Sequence, residues 1–154
     1  MAGRVTLEVG ATLVLTILLA WGVFGLFALT DSGDPVGTFL DQVPRVLFGL
    51  MGIALGLWAI MLIIGSIAHR YRAVGWRIGT HILSLVVAVI INVGVLAIVT
   101  MASSGGGGWE LLLVGIAVAA GAVLLVSGVV AVLVVELAIL RPRTIARSTP
   151  PVLV

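Results

Sequence analysis

The sequence predicts an all-α membrane protein, a four-transmembrane-helix up-down bundle with both termini in the cytoplasm. Hydrophobic residues make up 62% of the chain and charged residues only 9%, whereas about a quarter of the residues in soluble domains are charged. Four apolar runs are each long enough to cross a hydrocarbon core, which takes about 20 residues in a helix. The placement of the arginines predicts the topology.

The four runs occupy residues 9–29, 46–68, 78–101 and 111–140. The first exceeds the roughly 7–15 apolar residues of a cleavable signal peptide, and no small-residue cleavage site follows it, so we expect a retained helix. The fourth would measure about 45 Å at 1.5 Å per residue, and we expect its last turns, from about Glu136, to project into the cytoplasmic interface. We expect a single domain, 1–154, with a disordered tail from about residue 142.

Charge is distributed unevenly between the two sides of the predicted bundle. With four crossings, seven of the eight basic residues, all arginines, share the side of the termini and of the central loop at residues 69–77, whereas only Arg45 lies opposite. Loops that retain arginine are cytoplasmic by the positive-inside rule, which predicts N-in, C-in topology. We expect lipid headgroups or partner proteins to contact the arginines of this cytoplasmic layer: Arg70, Arg72, Arg77, Arg141 and Arg143.

Composition excludes several classes of site. The chain has no cysteine, so disulfides, thiolate metal sites and cysteine nucleophiles are excluded. The arginines flank apolar runs, so we expect no nucleic-acid partner despite a sequence pI of about 10.5. The absence of lysine beside abundant Ala, Val and Gly is typical of a GC-rich bacterial genome, and we expect a bacterial inner-membrane location.

Three ionisable residues form a candidate polar cluster near the cytoplasmic face. Glu8 starts the first helix, His81 lies about one turn into the third and Glu136 lies near the end of the fourth, at similar depths if the helices are antiparallel. Such a set could relay protons or bind a divalent ion. We favour an interfacial role instead, with Glu8 paired to Arg4 one turn away and Glu136 among the headgroups.

Small and polar residues suggest how the helices pack. Gly52 and Gly56 form a GxxxG motif on the second helix, a pattern that allows close helix approach, and we favour internal packing over an oligomer interface. Asn92 lies near the bilayer centre of the third helix, where an interhelical hydrogen bond would account for it.

Signatures of catalysis are missing from the sequence: we find no Walker loop, no H-E-x-x-H and no G-x-S-x-G. We therefore expect a non-enzymatic accessory or assembly subunit, without cofactor or metal, that binds other membrane proteins, a second copy or lipid. One alternative is a small transporter or ion-conducting oligomer with a vestibule lined by Glu8, His81 and Glu136. A second is a holin-like pore former, suggested by size, span number and the basic tail.

Overall fold

The structure is a computed structural model that describes residues 2–31, 33–69, 71–103 and 109–140. Within these ranges all regular secondary structure is helical. The long helices are α1 (Ala2–Asp31), α3 (Val43–Ala68), α4 (Val74–Ser103) and α5 (Trp109–Val134). The short helix α2 (Pro35–Gly37) and a π-helical segment, Thr38–Gln42, lead into α3, and a second π-helical segment, Val135–Leu140, extends α5.

The helices begin earlier than their apolar runs. Helix α4 starts at Val74 rather than at residue 78, which puts Arg77 in its first turn instead of in a loop. Helix α2 begins after Asp34, whose side chain accepts a hydrogen bond from the amide of Gly37, and Pro35 occupies the first helical position. Both residue types are favoured at helix starts. Residues 35–42, between the first two predicted apolar runs, are therefore helical.

Among the described residues, four apolar stretches could cross a membrane: Val5–Leu26, Pro35–Ala68, Val74–Ser103 and Trp109–Ala138. The four long helices form a ring in which α1 and α4 each pack against both α3 and α5. Trp58, Met51, Leu85 and Leu124 are buried at its centre. The predicted helical fold, with four apolar helices long enough to span a membrane, is confirmed. Residues 104–108, between the third and fourth predicted runs, and the predicted tail 142–154 lie outside the described part of the chain.

The outer surface of the ring is apolar, while many of its polar groups face inward. Large hydrophobic side chains such as Leu18, Ile60, Ile90 and Val126 are more than half exposed. A contiguous apolar exterior of this kind suits lipid or another membrane protein better than water.

Hydrogen bonds tie α3 to α4 at two depths. The carboxamide of Asn92 accepts from the amide of Ala54 at 3.1 Å and donates to the carbonyl of Leu50 at 2.8 Å. These two backbone groups lie four residues apart, which is the spacing of a hydrogen-bonded pair within an α-helix, so Asn92 contacts both members of one such pair. Further along, the indole of Trp58 donates to the carbonyl of His81 at 3.1 Å. Asn92 thus makes interhelical bonds of the kind expected for it.

Two glycines of α5 and two glycines of α3 have opposite environments. A Cβ at Gly128 would collide with Leu85, and one at Gly121 would lie 2.9 Å from Val89 Cγ1, so α5 uses both glycines to approach α4. By contrast, a Cβ at Gly52 or Gly56 would meet nothing within 4 Å. The expectation that Gly52 and Gly56 pack inside the bundle was therefore wrong, because their motif faces outward.

Candidate polar site

Five buried polar side chains contributed by all four candidate spans form one cluster, which we call the polar cluster. Glu8 comes from α1, Ser66 from the end of α3, Arg77 and His81 from the start of α4, and Glu136 from the π-helical segment after α5. Each is only 2–3% exposed. Ionisable groups at membrane depth face the bundle interior and pair with one another because lipid cannot solvate them.

Glu8 accepts hydrogen bonds from three partners. Its Oε1 atom accepts from Ser66 Oγ at 2.9 Å and lies 3.0 Å from His81 Nε2, while its Oε2 atom lies 2.8 Å from Arg77 Nη2. Three donors of this kind strongly favour a charged carboxylate. Glu8 is therefore the fully satisfied anion of the polar cluster.

Arg77 bridges the two carboxylates. Its Nη2 atom also donates to Glu136 Oε1 at 2.6 Å, so one guanidinium nitrogen contacts side chains from two other helices. Leaving a guanidinium in an apolar bundle without anions would be very costly, and paired carboxylates offset that cost. The Arg77 Nε atom has no hydrogen-bond partner among the described residues.

Glu136 is less well satisfied than Glu8. Its Oε1 atom accepts from Arg77 and lies 3.9 Å from His81 Nε2, whereas its Oε2 atom is buried with no hydrogen-bond partner in the described part of the chain. The two carboxylates therefore have unequal surroundings within one site. The π-helical segment that carries Glu136 is a local departure from α-helix of the kind often found at functional sites.

Gly65 lets α3 lie against the histidine of the polar cluster. A Cβ at residue 65 would be 3.3 Å from His81 Cε1 and 3.5 Å from His81 Nδ1. The Nε2 atom of the imidazole faces the carboxylates, and the Cε1–Nδ1 side of the ring faces this glycine. Only the Nε2 atom of His81 therefore takes part in the contacts with Glu8 and Glu136.

Glu8, His81 and Glu136 are also the residues that could hold a metal ion. Their donor atoms lie within 4.8 Å of one another, and zinc would need each of them at about 2.0–2.2 Å from a shared point. However, the Arg77 guanidinium contacts a carboxylate oxygen of each glutamate. A permanent cation thus occupies the position between the carboxylates, and we assign no metal there.

The structure corrects the interfacial interpretation of the polar cluster. It brings Glu8, His81 and Glu136 together in the bundle, so the glutamates do not lie among headgroups. The expectation that Arg77 contacts lipid headgroups was likewise wrong, since its side chain is buried against the glutamates. Ser66 was missed because a single serine near a helix end carries no distinguishing pattern. Of the other predicted headgroup contacts, Arg72 is exposed, while Arg70, Arg141 and Arg143 lie outside the described part. The side chain of Arg4, the predicted partner of Glu8, also lies outside it.

Comparisons with protein-family models, with curated proteins and with solved structures found no match to this chain.

Replacing Arg77 tests whether the polar cluster stabilises the fold. We expect Arg77→Gln to lower the free energy of unfolding by about 3–5 kcal/mol, because it strips the shared cation from two buried carboxylates. Arg72→Gln is the matched control, with an expected change within about 0.5 kcal/mol at an exposed site. Unfolding in mixed micelles, followed by circular dichroism, measures both. Equal effects of the two substitutions would contradict the buried position of Arg77.

Proposed function

We propose that this chain is a non-enzymatic accessory or assembly subunit of a bacterial inner membrane, which binds another membrane protein or a second copy of itself. The observation that carries this proposal is the outward GxxxG face of α3. Gly49, Gly52 and Gly56 follow one another along the helix, and a Cβ at each would meet nothing within 4 Å.

A smooth glycine face lets a second helix approach the backbone closely, which drives association in lipid, where helices gain little from hydrophobic burial. Exposed apolar residues flank the glycines, among them Phe48, Ile53 and Ile60. This face therefore combines a shallow groove with bulky edges. Lipid tails could fill it, but a helix of complementary shape would gain more dispersion contacts there.

We further propose that the helices run alternately up and down with both termini in the cytoplasm. The contacts of Glu8 favour this topology, since they join the start of α1 to the end of α3 and the start of α4. Glu136, near the end of the last span, joins the same cluster. The arginine-rich side then faces the cytoplasm.

Single cysteines test this orientation, because the chain has none of its own. Gly33→Cys and Ala73→Cys place a thiol at an exposed position in the first and second interhelical connections. We expect a membrane-impermeant maleimide to label residue 33 in intact cells and residue 73 only after permeabilisation. The reverse labelling pattern, or labelling of both positions in intact cells, would contradict the proposed topology.

Adding bulky side chains to the glycine face of α3 tests the accessory role. We expect the double variant Gly52→Ile, Gly56→Ile to lose the partner or second copy seen by native mass spectrometry after mild detergent extraction, while its helix content stays unchanged. Gly115→Ile is the control. Residue 115 is an exposed glycine on α5, and a side chain added there would also meet nothing within 4 Å. A wild-type chain that is always a lone monomer would contradict the proposal.

The convergence of Glu8, His81 and Glu136 favours a second candidate, a small ion transporter or ion-conducting oligomer. Buried titratable groups near one end of a helical bundle are typical of ion pathways. This candidate requires that the polar cluster exchange protons or cations with bulk water, which a purely structural cluster need not do.

Flux measurements separate the two candidates. If the chain conducts ions, liposomes that contain it should show proton or monovalent-cation flux, and His81→Gln should abolish that flux. Glu110→Gln, which removes a carboxylate from the opposite end of α5, should leave the flux unchanged. Liposomes without flux above the protein-free background would reject the transport candidate.

A further inference from the structure

We propose that the polar cluster is a proton-binding site that holds one proton, and that Glu136 carries it at neutral pH. This assignment concerns the resting charge of the bundle. It goes beyond both candidate functions and depends on neither partner binding nor transport.

The charges of the described side chains require one additional positive charge. Two ionised carboxylates, Glu8 and Glu136, contribute two negative charges and the Arg77 guanidinium one positive charge, with the His81 imidazole counted in its uncharged form and the Ser66 hydroxyl carrying none. The sum is −1 in a site where each side chain is only 2–3% exposed. An unbalanced charge in a low-dielectric interior is so costly that buried groups take up or release a proton instead. Two carboxylates that share a site likewise tend to hold one proton between them.

Hydrogen bonding decides which carboxylate holds the proton. Glu8 accepts from Ser66, His81 and Arg77 through both of its oxygens, which is the environment of an anion. Glu136 uses only Oε1, and its buried Oε2 atom has no partner among the described residues. A buried anionic oxygen without a donor costs more than a neutral hydroxyl at the same place. The proton therefore belongs on Glu136 Oε2.

Two other ways of balancing the charge fit the geometry less well. His81 can donate to Glu8 from Nε2 as a neutral imidazole, and an extra proton on Nδ1 would face Gly65, which has no side-chain acceptor. A divalent metal would have to displace the Arg77 guanidinium from both carboxylates. If Arg77 stayed, the metal would turn the net charge from −1 to +1. One proton makes the site neutral without moving any side chain.

Infrared spectroscopy of the full chain in lipid nanodiscs tests this assignment. With carboxyl-labelled glutamate at neutral pH, we expect the carbonyl band of one protonated carboxylic acid in the wild type. Glu136→Gln, which mimics the neutral acid, should fold normally and lose the band completely. The control Glu110→Gln should keep it. We also expect Glu8→Gln to lose the band, because Arg77 alone then balances an ionised Glu136.

Several results would overturn the proposal. These are a wild type without the band, a band that survives Glu136→Gln, and a band that persists in a folded Glu8→Gln variant. A doubly protonated His81 in ¹⁵N spectra would move the proton to the imidazole. Stabilisation of the wild type by added Zn²⁺ that Glu136→Gln abolishes would make the ligand a metal. If the wild type lacked the band and the Arg4→Gln variant showed it, the charge of Arg4 rather than a proton would balance the polar cluster.

Discussion

The burial of one guanidinium inside a bundle of apolar helices is the constraint on which the rest of the structure depends. Arg77 has no bulk water to solvate it, so it must meet carboxylates supplied by other helices, and Glu8 from α1 and Glu136 from the segment after α5 supply them. Ser66 extends the same contacts to α3. Sliding any one helix by a single turn, about 5.4 Å, would separate these charges. The polar cluster therefore sets the axial position of all four helices at one end.

Elsewhere the helices are held by neutral contacts. Asn92 binds two backbone groups of α3 near the middle of the bundle, and the indole of Trp21 on α1 donates to the carbonyl of Phe39 at 2.9 Å near the other end. An interhelical hydrogen bond in a membrane protein contributes only about 0.6–2 kcal/mol, less than the cost of breaking a buried ion pair. The end that carries the polar cluster is therefore the one most sensitive to loss of a partner, and it is also where a change of protonation would have most effect.

Composition and hydropathy were enough to predict the number of apolar helices, because satisfying the backbone in lipid leaves few alternatives. They were not enough to predict the site. Arg77 stands at the edge of an apolar run, where an arginine usually reaches out to headgroups, and only its position on the buried face of the first turn of α4 turns it inward. The sequence predicted that this helix begins at residue 78, because an apolar run is counted only up to the nearest charged residue, here Arg77. Glu8 and Glu136 were correctly placed at one level, yet their spacing along the chain carries no information about contact across helices.

The glycines show the same limit at the level of packing. Gly121 and Gly128 lie seven residues apart without a GxxxG motif, and they receive Val89 and Leu85 from α4. The GxxxG motif at Gly52 and Gly56 faces away from the bundle. A short glycine repeat defines a smooth stripe on a helix, and whether that stripe faces a neighbour depends on the rotation of the helix about its axis. In α3, Ser66 and Trp58 fix that rotation, since both must point inward to reach Glu8 and the carbonyl of His81. The polar contacts that bury the charges are therefore also what leaves the glycine stripe open to a partner.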